Sequence, residues 1–276
     1  MTDRRKLTRR ALLGVYFFIV FIIFLLVRFP FDSIKHRIEQ EVRSRTPFSL
    51  SISEASPHFF NQFVLTDVML FDRDNRVLFG APRAHLKISL IGLLKGVTSF
   101  SMDSNAYGGG LFVKIRQGRD IRWYSFNADG LDIGAYQLLK DMGFNISGRL
   151  GGSFEMTNGV GGGRIWIRGL ALRGVTIMGF RLPDLDFDQA WLEADIKTDR
   201  LFIKKLEAEG KEIKIRMNGD AVLRDRGSLN LSVKFKPSER IEREQTNLLS
   251  LLKKRDSEGF YHMSLVGTLD APIPRP

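Results

Sequence analysis

Residues 212–224 read EIKIRMNGDAVLR. Ile213, Ile215, Met217, Gly219, Ala221 and Leu223 take the odd positions; Glu212, Lys214, Arg216, Asn218, Asp220 and Arg224 take the even ones, with Val222 the single exception. A period of two gives an extended strand one apolar and one polar face. At about 3.3 Å per residue this run would reach roughly 40 Å, well past the usual five or six residues. Strands this long and this one-sided need something to set their apolar face against.

The same pattern extends in both directions. Leu229, Leu231, Val233 and Phe235 continue the odd-numbered face beyond the link RDRGS, and Ala190, Leu192, Ala194 and Ile196 repeat it on even numbers. Neighbours of this kind form an antiparallel meander with one apolar face. Further strands are expected at 49–55, 62–72, 76–79, 83–89, 99–107, 110–116 and 121–126. A second series is expected at 147–157, 163–168, 190–197, 201–209, 228–236 and 260–269. Turn residues such as Asp74-Asn75, Asn158-Gly159 and Arg226-Gly227 separate them. Helical interruptions are expected at 132–143 and 238–256. The stretch GFNISGRLGG (143–152) is a possible internal boundary; one continuous curved sheet is the alternative.

Composition agrees with a β protein. The chain has 276 residues, 43% hydrophobic, with Gly 26 against Pro 9, enough apolar content for a core and enough glycine for many turns. Cys 0 excludes disulfides, thiolate metal sites and a cysteine nucleophile. The net charge of +11 is concentrated beside an apolar segment and near the C-terminus, where residues 234–255 hold seven Lys/Arg against three Glu. That distribution points to a membrane surface and away from nucleic acid, which needs basic residues interleaved with stacking aromatics.

Ala11–Val27 (ALLGVYFFIVFIIFLLV, including Leu12, Phe17, Ile22 and Leu26) runs seventeen residues without a charge, the lower limit for a spanning helix. Arg4, Arg5, Lys6, Arg9 and Arg10 precede it and hold the N-terminus in the cytoplasm. Val27-Arg28-Phe29-Pro30-Phe31 lacks the small residues of a cleavage site. The expected order is a basic cytoplasmic tail (1–10), a single transmembrane signal-anchor (11–27), an amphipathic helix (28–47) and a periplasmic β-rich domain (48–276). Phe31, Ile34, Ile38 and Val42 share one face of that helix. It either rests on the membrane interface through Lys35, Arg37 and Arg43 or packs its apolar stripe under the sheet, which is the plainer reading.

No constellation of catalytic residues is readable. His36, His58, His85 and His262 are scattered. Asp184, Asp186 and Asp188 imitate a calcium loop, but Gln189 stands where glycine is needed and Asp195 where a bidentate Glu is expected. The clusters Gly108–Gly110 and Gly161–Gly163 precede no phosphate-binding helix and read as turns or tight bends. The sequons at Asn145 and Asn230 sit inside strand patterns. The chain reads as a non-enzyme without cofactor or metal.

Several stretches, in order, carry a resemblance: RFPFDSIKHRIE, LSISEASP, AYGGGLF, DGLDIGAYQLL, ISGRLGGSF, LDFDQAWLEADIKTDRLFIKKLEAEG and VGTLDAPIP. Together they resemble the type II secretion system protein N family, and more widely the AsmA-like periplasmic proteins. The resemblance covers nearly the whole chain. It implies a mainly β protein: one inner-membrane helix, then a long curved antiparallel sheet forming a trough or half-barrel with a few short helices. It implies type II secretion subunits as partners, through a link between the inner-membrane platform and the outer-membrane channel, or lipid acyl chains held in the trough. Ile213, Ile215, Met217, Leu223, Leu229, Leu231, Val233 and Phe235 are the trough-lining candidates, with Lys214, Arg216, Lys234 and Lys236 outside. Exposed edge strands are expected to add to a partner's sheet. If the apolar face is functional, a charge at Ile215 or Leu231 should abolish function without unfolding the domain.

Overall fold

The computed structural model describes residues 31–275, apart from 46, 60, 90, 93–94, 142–144, 175, 178–179, 182, 224–226, 251, 253–254 and 269–270. The basic tail and the expected anchor (1–27) lie outside the described residues. No helix among the described residues is long and apolar enough to cross a membrane.

The protein is mainly β. Its helices are short: α1 (Phe31–Arg45), α2 (Gln137–Asp141), α3 (Glu239–Glu244) and α4 (Thr246–Ser250). The first strands are β1 (Ser49–Ser51), β2 (Glu54–Phe59), β3 (Gln62–Phe71), β4 (Val77–Ile88), β5 (Thr98–Ala106), β6 (Gly109–Gln117) and β7 (Arg122–Asp132). Next come β8 (Asn145–Thr157), β9 (Val160–Arg173), the small hairpin β10 (Thr176–Ile177) and β11 (Phe180–Arg181), and β12 (Leu185–Lys197). The series ends with β13 (Arg200–Gly210), β14 (Ile213–Val222), β15 (Ser228–Pro237), β16 (Tyr261–Thr268) and β17 (Pro272–Arg275). All but β10 and β11 join one fifteen-stranded antiparallel sheet whose order is the chain order, with β1 and β2 both pairing along the outer side of β3.

Several elements differ from the sequence reading for identifiable reasons. β4 runs unbroken through Pro82, because residues 77–82 pair only with β3 and pairing to β5 begins at Arg83, so the missing N–H leaves no ladder bond unmade. β9 runs through Gly161–Gly163, which lie in mid-strand. A Cβ at Gly163 would collide with the Ser153 carbonyl oxygen, an approach that only glycine permits. β17 arises from a proline-rich tail with no alternating pattern. The stretch at 143–152 is no break in the sheet, since β8 pairs with β7 on one side and β9 on the other.

The apolar parity switches within strands, and bulges account for it. They occur at Asp129–Gly130 in β7, Gly169 in β9, Asp188 in β12 and Lys204–Lys205 in β13. Each inserts a residue, so the inward set passes from Ile203 to Leu206 without leaving the apolar face. Bulges also bend the strand and increase twist. The sheet curls: α2 reaches both β4 and β8, which three strands separate in the ladder.

Two buried clusters anchor the apolar face. One joins Ile52, Phe63, Leu65, Val68 and Leu86 with Ile38 of α1. Helix α1 therefore packs on the sheet through Ile38, with Glu39 accepting from the Ile52 N–H at 2.9 Å and Lys35 donating to the Ser53 carbonyl at 3.2 Å. The other joins Leu185, Phe187, Ala190 and Ala208 with Ile241 of α3.

Candidate functional site: the uncovered apolar floor

Strand pairing aligns the inward residues into rows that cross the whole sheet. One row runs Pro57–Phe63–Leu86–Met102–Val113–Phe126–Phe154, then Gly163–Ala194–Ile203–Gly219–Leu231–Leu265–Pro274, fourteen strands without a polar side chain. The adjacent row holds Leu65, Leu111, Ile165, Leu206, Met217 and Val233, with Ser104 its one polar member. Ser104 is buried, and its hydroxyl donates to the Leu111 carbonyl, so no polar group is left unsatisfied in the floor.

Between the two clusters, cover over this floor is sparse among the described residues: α2 touches β4 and β8, and Val113 is buried at 8% exposure. Phe126 keeps 40% of its surface exposed and Ile165 37%, although both point to the apolar side. The inward glycines 152, 163 and 219 add no side chain that would fill the middle of the sheet.

Most of the sequence candidates join this floor. Ile215 pairs with Phe235, Met217 with Val233, and Leu229 with Ala221. Ile213 and Ile215 pack at the α3 cluster. Leu223 does not join the floor: it lies past the end of β14, in the connection to β15, and is 44% exposed. Leu231 is only 6% exposed, so a charge there is buried and unfolds the protein whatever the floor does. Phe126 and Ile165 are the residues that separate function from stability. Both lie within the strands expected at 121–126 and 163–168, but Trp123-Tyr124 and Ile165-Trp166-Ile167 put apolar residues on both faces and hide which parity points inward.

The opposite face is polar and laced with cations. All three tryptophans point there, each beneath a cation: Trp123 under Arg116 at 5.7 Å, Trp166 under Arg168 at 4.5 Å and Trp191 under Lys205 at 4.4 Å. Asp184 and Asp186 pair with Arg173, and among the described residues no group of His or carboxylates could hold a metal ion. Among the clefts at the surface of the described residues are one of about 510 Å³ by Glu242, Arg255 and Tyr261, and one of about 810 Å³ by Asp129, Arg149 and Arg168. Both have charged walls and lie off the floor's central rows.

The turns of the meander alternate between two rims. One carries the insertions: 133–144 with α2, 174–184 with β10 and β11, and 238–260 with α3 and α4. The last is fixed in place by Ser238, whose hydroxyl caps α3 and donates to Glu212 at 2.7 Å, and by Arg240 on the same carboxylate. These hydrogen bonds hold the Glu212 carboxyl below its ordinary value, the Ser238 hydroxyl contributing most. At the far end of the insertion, the Phe260 N–H foremost, then the His262 ring, hold Asp256 low as well. The other rim is plain, and its turns are joined in series. Asn158 donates to the Asp120 carbonyl, the Thr198 N–H to Gly159 at 2.6 Å and the Leu223 N–H to Asp199 at 2.6 Å.

The final edge is not receptive to another strand. Thr268 and Ala271 exchange both backbone bonds, so Pro272 and Pro274 fall at the positions whose backbone faces outward. That edge offers carbonyls but no N–H at either position, which opposes strand addition.

The chain matches no protein-family model, no curated protein and no solved structure.

Proposed function

We propose that this chain is a non-catalytic, inner-membrane-anchored subunit of a type II secretion apparatus. In this reading its periplasmic sheet is a trough-shaped strut between the inner-membrane platform and the outer-membrane channel. The observation that carries it is the unbroken meander that starts beside α1. The fourteen-strand row gives thirteen strand spacings, roughly 60 Å at about 4.8 Å each. Support also comes from the seven stretches resembling the protein N family. Partners would be other type II secretion subunits, engaged by surfaces other than the proline-bearing edge.

The uncovered floor favours a second reading, an AsmA-like lipid-handling protein that shields acyl chains. A clean deletion scored for two phenotypes tests both. Loss of type II substrates from the medium with an intact outer-membrane barrier is the expected result. Normal secretion overturns the first reading, and normal secretion with a barrier leaky to bulky antibiotics favours the second.

A further inference from the structure

The plain rim is not uniform. Its turns nearest α1 combine the exposed Ile91 and the half-buried Val97 and Ile121 with cations, whereas the first turn of the opposite rim reads Asp72-Arg73-Asp74-Asn75-Arg76, with no apolar residue. In the β4/β5 connection Ile91 is 69% exposed, the highest value among the large apolar residues described, and Lys95 lies four residues on. In the β6/β7 turn Ile121 sits between Arg119 and Arg122, both exposed. The two connections touch: a Cβ at Gly118 would meet Val97 at 3.2 Å and Ile121 at 3.4 Å. Lys114 and Arg116 flank Trp123 on the adjoining strands. None of Lys95, Lys114, Arg116, Arg119 and Arg122 has a carboxylate partner among the described residues.

The direction of α1 places this patch near the anchor. The C-terminus of α1 leads within four residues to Ser49, which pairs with Phe71 beside the insertion-bearing rim. Lys35, ten residues earlier, bonds to Ser53, further toward the plain rim. Helix α1 thus runs antiparallel to β1 and β2, and its start faces the plain rim. Val27 is four residues before Phe31, a reach of no more than about 14 Å.

We propose that these two connections, through Ile91, Lys95, Val97, Arg119, Ile121 and Arg122, dock on the anionic interface of the bilayer that holds the anchor. The proposal rests on the reading of residues 11–27 as a membrane anchor. Apolar side chains enter the headgroup boundary while unpaired cations meet anionic lipid, each basic residue strengthening the contact about fivefold. With the anchor, this second contact fixes the tilt of the sheet's first strands against the membrane.

The chain has no cysteine, so Ile91→Cys can carry a single environment-sensitive fluorophore in the full-length protein. The protein is reconstituted into phosphatidylcholine vesicles with or without phosphatidylglycerol, and Val77→Cys on the opposite rim is the control. In anionic vesicles the label at residue 91 should be quenched by lipids with a nitroxide on the acyl chain and shielded from aqueous iodide; the label at residue 77 should behave oppositely. Neutralising Lys95, Arg119 and Arg122 to Gln should weaken docking on the order of a hundredfold, three factors of about fivefold, with an unchanged melting temperature. A residue 91 label as open to iodide as the control overturns the proposal. So does a label shielded from iodide but out of reach of the nitroxide lipids, which would mean contact with a second copy. Alkaline extraction of the vesicles reads the anchor separately, so its failure is not mistaken for loss of docking.

Discussion

Phe126 and Leu231 lie in the same apolar row, yet one is 40% and the other 6% exposed. Phe126→Lys places its charge at a surface water already reaches, so stability should change by about 1 kcal/mol or less while any activity of the floor is lost. Leu231→Asp buries an unpaired carboxylate and should cost about 3 kcal/mol or more. Chemical denaturation of both variants checks the contrast, and equal losses would mean that the row is uniformly core. Gly163 makes a complementary case. A side chain there meets the backbone of β8, with Phe154 Cα at 2.8 Å, and backbone cannot step aside. Gly163→Val should lower the melting temperature by several degrees, whereas Val placed at exposed Lys214 should leave it nearly unchanged.

At the scale of elements, the insertion carrying α3 is held at both ends by carboxylates whose pKa values are lowered in the folded protein. Such groups contribute stability above the ordinary carboxylate values of 4.5 for Glu212 and 3.8 for Asp256. The contribution fades as the pH falls from there through the lowered folded values. The hydrogen-exchange protection factors at the amides of Ile241 and Phe260 should therefore fall on acidification before those in β12 to β14 do. A simultaneous fall would show that the insertion has no independent opening. Element legibility in the sequence followed side-chain alternation. EIKIRMNGDAVLR became β14 almost to the residue, and LFIKKL betrays its bulge by two adjacent lysines between apolar neighbours. Pro82, the Gly161–Gly163 run and the tail APIPRP concealed strands, because backbone pairing alone decides their structure and leaves no side-chain period. The exposure of Phe126 was not legible either, since coverage of a face depends on where distant segments such as α3 come to rest.

For the whole molecule, a single sheet that does not close must manage two edges. The first is covered by α1 through Ile38, and the last carries Pro272 and Pro274. Replacing both prolines with Thr restores two outward N–H donors and should promote edge-to-edge dimers, read by light scattering of the detergent-solubilised protein. A strictly unchanged mass would mean that another feature guards this edge. The floor runs between these edges, and its role depends on being open in the cell. A benzophenone side chain introduced at Phe126, and separately at Ile165, and irradiated in living cells examines that directly. Capture of a lipid or of another polypeptide is the predicted result, its mass separating acyl chains from a secretion partner. Crosslinks confined to the chain itself, as from a buried position such as Leu231, would show the floor to be closed core and contradict the binding trough.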